Sequence, residues 1–98
     1  MKIKLLPSAE RDLEEIYDYL YQESPGYAEE FLNKFYSSIK KLERFPRSGK
    51  ITEMFSLNRA GYRFIKMGNY YIYYKIEEST VYIFRIIHTA RDQKKTLR

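Results

Sequence analysis

Cysteine and tryptophan are absent from this 98-residue chain, and histidine occurs once. Without cysteine, neither a disulfide nor a thiolate metal site can support the fold, which suits a reducing compartment. A metal centre would have to be built around His88, and Asp92 alone beside it does not complete one. The longest apolar runs span only a few residues, far short of the ~20 that cross a bilayer. Met1-Lys2-Ile3-Lys4 leads straight into strand-like sequence with none of the marks of a signal peptide. These absences lead us to expect a cytoplasmic protein without membrane contact. A Gly-rich phosphate loop, an H-E-x-x-H helix, a C-x-x-C pair and a nucleophile elbow are also missing, so no cofactor or metal is expected. No local sequence supports Ser/His/Asp catalysis.

What is present is charge of uneven sign and an excess of tyrosine. The net charge is +5. Residues 1–58 hold nine Lys/Arg against ten Asp/Glu, or −1, and residues 59–98 hold nine against three, or +6. A basic C-terminal half calls for an anionic partner, either nucleic acid or an acidic protein segment, or is simply a solvated surface. The eleven tyrosines suit a half-exposed sheet, where a ring is buried while its hydroxyl stays wet. The length fits one domain whose folding buries somewhat over ~60% of the unfolded chain's surface.

The stretch Gly68–Asp92 organises the rest. Tyr70, Ile72, Tyr74 and Ile76 share one parity and Tyr71, Tyr73 and Lys75 the other, as in a strand with one buried and one wetter face. Val81 to Ile87 is apolar on both parities except at Arg85, which marks a more central strand. The polar Glu77-Glu78-Ser79-Thr80 joins the two as a hairpin. Tyr62 to Met67 precedes them, and Gly68-Asn69 makes a two-residue turn of type II′, completing a three-stranded antiparallel meander.

Upstream, Ile3 to Leu6 is a short strand expected at a sheet edge, since Lys2 and Lys4 discourage further pairing. Ser8 is positioned to cap a first helix with the stripe Ala9, Leu13, Ile16 and Leu20 and acids at its N-terminal end. Ser24-Pro25-Gly26 breaks it and starts a second, whose stripe is Ala28, Phe31, Leu32, Phe35, Ile39 and Leu42. So short a turn makes the pair an αα-hairpin. Residues 45–61 show no period, and Phe45 and Phe55 are expected to pin them to the core. The order is β-α-α-β-β-β, an α+β fold with an antiparallel sheet and the helical hairpin on one face.

Few residues offer chemistry. His88 can act as a general base, or its ring fills a strand end and bonds to backbone. Arg85 either meets a phosphate or carboxylate, or runs its stem along the sheet to the edge. Arg91 and Asp92 form a structural clamp or a substrate contact. Arg63 and Lys66 lie at opposite parity, so only one of them shares a face with a given partner. The tail residues Lys94, Lys95 and Arg98 are read as solvated.

Taken in order, Pro7-Ser8-Ala9, Asp12-Leu13, Ile16 and Tyr19; Pro25, Ala28 and Phe31; Leu42, Phe45-Pro46 and Gly49; Arg63; Tyr70-x-Ile72-x-Tyr74; Ile83; and His88-Thr89-Ala90-Arg91-Asp92 run through nearly the whole chain. This pattern resembles the RelE/ParE toxin superfamily of bacterial type II toxin–antitoxin modules, and its strand and exit look most like the ParE, or plasmid-stabilisation, branch. The resemblance implies a toxin neutralised by a cognate antitoxin. Its target would be DNA gyrase, as in the ParE branch, or mRNA cut in the ribosome, as in the RelE branch. A degenerate copy would only bind its antitoxin. Where the nuclease branch has an arginine after the strand's first tyrosine, this chain has Tyr71, and the nuclease's C-terminal tyrosine is replaced by Thr96-Leu97-Arg98. Arg91 matches that branch's second arginine, and Arg63 and Lys66 can stand for its lysines. Arg63, Lys66, Arg91 and His88 are therefore the catalytic candidates. Tyr71, Tyr73, Arg85, Lys94 and Lys95 are the candidates for contact with a partner or target. With part of the nuclease set missing, gyrase inhibition is the favoured expectation.

Overall fold

The computed structural model describes residues 1–52 and 61–90. Strand β1 (Lys2–Leu5) leads into helices α1 (Pro7–Glu23) and α2 (Pro25–Arg44). Strands β2 (Lys50–Ile51), β3 (Arg63–Met67), β4 (Tyr70–Glu77) and β5 (Thr80–His88) follow. They form one sheet in the order β1-β5-β4-β3-β2. Both helices lie on one face, where Ala9, Phe31, Phe35 and Leu42 meet Ile72, Tyr74, Val81, Ile83 and Ile86 in the core. Leu13, Ile16, Leu20 and Ile39 from the two helical stripes pack around it, so the 3.6-residue period reports the buried faces correctly.

The α+β architecture with its helical hairpin is as expected, and so is β1 at an edge. The sheet, however, is mixed rather than wholly antiparallel. β1 runs parallel to β5, with Ile3 opposite Val81 and Leu5 opposite Ile83, and the two helices with β2 to β4 form the long connection that parallel neighbours need. The two-residue β2 adds an outer strand beyond β3. At the β3–β4 turn, Met67 pairs with Tyr70 and Gly68 has φ +60°, in keeping with the first position of a type II′ turn.

Two local expectations are corrected. Leu6, not Ser8, is the residue at the N-cap of α1, and no side chain caps it. Pro7 at the first helical position needs no amide partner there. The Ser8 hydroxyl instead donates to the Phe84 carbonyl of β5 at 2.8 Å. Phe45 does not pin its loop to the core, being 60% exposed with the Arg44 guanidinium 5.6 Å over its ring. Phe55 lies outside the described residues.

The anchor of that loop is Tyr74. Its hydroxyl donates to the Pro46 carbonyl at 2.7 Å and accepts the Gly49 N–H at 2.9 Å. Gly49 lies so close that a Cβ would fall 2.5 Å from the Tyr74 oxygen and 2.7 Å from the Phe64 carbonyl. No side chain fits without displacing the loop. Burial raises the Tyr74 phenol above its ordinary pKa, against the smaller lowering effects of the Gly49 N–H, Arg63 and Ser48.

Candidate functional site

Strand β5 carries a bulge that decides where its side chains go. Tyr73 pairs with Arg85 and Tyr74 with Ile83, leaving Phe84 as the extra residue. Simple alternation along β5 is broken there. Ile83 and Ile86, three apart, both enter the core, and Phe84 stacks on Tyr62 at 5.2 Å on the opposite face. The chain bends, and Arg85 is brought to helix α1.

Arg85 meets a carboxylate of its own chain. Its Nε donates to Asp12 Oδ2 at 2.7 Å and its Nη2 to Asp12 Oδ1 at 3.1 Å, a bidentate pair. Asp12 Oδ2 also accepts the Ile86 N–H at 2.9 Å. The bond to Asp12 chiefly raises the Arg85 pKa, so the guanidinium stays charged throughout the ordinary range. Ser8 and Asp12 stand one helical turn apart and act together. Where β1 ends, with Leu6 N–H donating to Ile83 O, these two side chains continue bonding to the edge of β5. In the sequence Asp12 stood out as an acid favoured near a helix N-terminus and as part of the family pattern, with no partner assigned to it.

The three catalytic candidates among the described residues, Arg63, Lys66 and His88, are dispersed. Arg63 is opposite Tyr74 and on the helix side, with Nη1 donating to Gly49 O at 2.9 Å and Arg47 O at 3.3 Å. Lys66 pairs with Tyr71 on the other face and is exposed. His88 is opposite Tyr70, four residues along β4 from Tyr74, which is roughly 13 Å at strand rise. Its Nδ1 accepts the Ala90 N–H at 3.1 Å, and its ring meets Tyr70 edge-on at 5.3 Å. The ring thus closes the strand end and bonds to backbone, one of the two roles open to it from sequence. Arg91, Asp92, Lys94, Lys95 and Arg98 lie outside the described residues.

Two surfaces flank this framework. On the face away from the helices, Phe64 meets Tyr71 at 5.2 Å and Tyr73 at 5.8 Å, and Tyr71 meets Tyr73 at 6.1 Å. Lys75 lies 5.5 Å over the Tyr62 ring and 2.7 Å from Glu77, whose hydrogen bond raises the lysine pKa. Tyr71 is half-buried, whereas Tyr73 is only 2% exposed and belongs to the packed layer. On the helix side, a cleft of about 560 Å³ opens between α1 and the ends of β4 and β5, lined by Asp12, Glu15, Tyr19, Tyr70 and His88 among others. Among the described residues no group of three or more His, Cys, Asp or Glu is placed to hold a metal ion.

A family model described as the ParE toxin of type II toxin–antitoxin systems, parDE, matches residues 3–93. The chain belongs to the ParE toxin family. The fold agrees with a solved structure described as the chromosomal ParDE toxin–antitoxin system from P. aeruginosa. That structure aligns with a TM-score of 0.71 over 90% of this chain and 95% of that one, at 21% identity. No curated protein matches the chain. Membership of the ParE family makes this the toxin class of a type II toxin–antitoxin system. Among the described residues no helix is long and apolar enough to cross a membrane.

Proposed function

We infer that this ParE-family chain is held by a cognate antitoxin and, when released, inhibits DNA gyrase rather than cutting mRNA. The observation that carries this choice is the dispersal of Arg63, Lys66 and His88 over two faces and both ends of the β3–β4 pair. Cleavage by a 2′-hydroxyl needs one group to take its proton and others to stabilise developing charge, all within hydrogen-bond reach of one phosphate. Arg63 is occupied by loop carbonyls, and Lys66 lies behind the sheet from His88. What the sheet offers instead is a layer of aromatic rings with Lys66 at its margin. Aromatic side chains beside a cation suit contact with another protein.

A cytoplasmic location and a role in plasmid stabilisation accompany this function. The antitoxin would present an acidic or amphipathic segment to the basic sheet half. Purified chain mixed with gyrase and plasmid DNA tests the target. Loss of supercoiling with accumulation of cleaved plasmid is expected. Undisturbed supercoiling at high excess of the chain, with ribosome-bound mRNA being cut, would reverse the assignment.

A further inference from the structure

The cleft beside α1 has a chemistry opposite to that of the basic half of the molecule. Its apolar lining includes Ile16 and Leu20 from α1 and Ile86 from β5. Tyr19 stands at the opening with 63% of its surface exposed, a large ring with no task in the core. Tyr70 lies across from it. Burial first, and then the neighbouring Tyr19, raise the Tyr70 phenol above its ordinary pKa.

The charge at this opening is negative. Helix α1 contains six acids and one base. Asp12 is neutralised by Arg85, while the exposed Glu15 makes no hydrogen bond or ion pair among the described residues and acts on the Arg85 guanidinium only at longer range. An acidic segment would meet this carboxylate unfavourably. A purely apolar one would leave it facing a dry neighbour.

We propose that this cleft docks an arginine side chain, flanked by apolar residues, from a partner peptide. The guanidinium would lie between the rings of Tyr19 and Tyr70 and donate to Glu15, while the flanking residues cover Ile16 and Leu20. A planar, weakly hydrated cation suits such a site better than an ammonium, because it stacks on rings and matches a carboxylate with paired donors. The chain then has two recognition surfaces of opposite sign: an aromatic, basic sheet face and an acidic, tyrosine-walled cleft. The cleft does not depend on which cellular target the chain inhibits.

The isotope-labelled protein, titrated with acetyl-Leu-Arg-Ala-Leu-amide and followed by amide NMR, tests the site. Saturable shifts confined to α1 residues 12–20 and to Tyr70 and His88 are expected. Binding should weaken about three- to tenfold in Tyr19→Ala and in Glu15→Gln. It should be unchanged in Tyr27→Ala, which removes an equally exposed tyrosine from α2. These side chains are on the surface, and an otherwise unaltered spectrum verifies that each variant is folded. Equal binding of the peptide with glutamate in place of arginine, shifts centred elsewhere, or no saturable shift would each overturn the proposal.

Discussion

At the scale of single residues, Tyr74 does two jobs with one side chain. Its ring belongs to the core, and its hydroxyl holds the loop after α2 by Pro46 O and Gly49 N–H. Tyr74→Phe keeps the ring but leaves those two groups without their partner. It should cost about 1–3 kcal/mol, read from the urea midpoint. Gly49→Ala should cost a similar ~1–3 kcal/mol by overpacking, since its Cβ would press on both the Tyr74 oxygen and a backbone carbonyl. Alkali provides a second test. Tyr70 and Tyr74 both have phenols raised above the ordinary value of 10.0. An acid with a raised folded pKa holds its proton in the native state after the unfolded chain has lost it. Stability should therefore be level with respect to these groups below about pH 10 and fall above it. Tyr70→Phe should make the fall shallower in pH-dependent unfolding.

At the scale of elements, α1 is fastened to β5 by polar side chains as well as by its apolar stripe. Asp12 serves three donors at once: Nε and Nη2 of Arg85, and the Ile86 N–H. Asp12→Ala should destabilise by about 2–4 kcal/mol, because a partly buried guanidinium and an edge amide lose their acceptor together. Arg85→Met should cost less, since Asp12 keeps the Ile86 amide. Faster hydrogen exchange at Ile86 in the first variant and not in the second would identify the two contributions. The helical stripes, the Gly68-Asn69 turn and the alternation in β4 were legible in the sequence, because each is a local pattern imposed by one element's own geometry. The bulge at Phe84, the parallel pairing of β1 and the tasks of Ser8, Asp12 and Gly49 were not. The bulge depends on the register with the neighbouring strand and the others on partners at least 25 positions away, and the sequence alone presents them as an ordinary strand, cap, acid and turn.

At the scale of the whole molecule, acidic helix and basic sheet give the chain a polarity that the amino-acid order already shows. The sequence also named the candidate residues for the site, but their convergence could not be judged without the strand register. Arg63 faces the helix side, Lys66 the opposite side, and His88 the far end. If the aromatic face receives gyrase, Lys66→Glu should weaken inhibition by about tenfold, as one lost charge contact would. As a surface change, it should leave the unfolding free energy within roughly 0.5 kcal/mol. Full inhibition by this variant in a supercoiling assay would move the contact away from that face.

The fastening of α1 along β5 also limits what can be added to the sheet. Beyond Ile83, backbone groups that would invite another chain are met by Ser8 and Asp12 instead. A foreign strand could extend the described sheet only beyond β1 or beyond β2, and β2 is two residues long. One carboxylate on a helix thus closes this stretch of β5 to pairing with copies of the chain. Loss of Asp12 would be felt first as aggregation at high concentration, before any loss of helix or sheet.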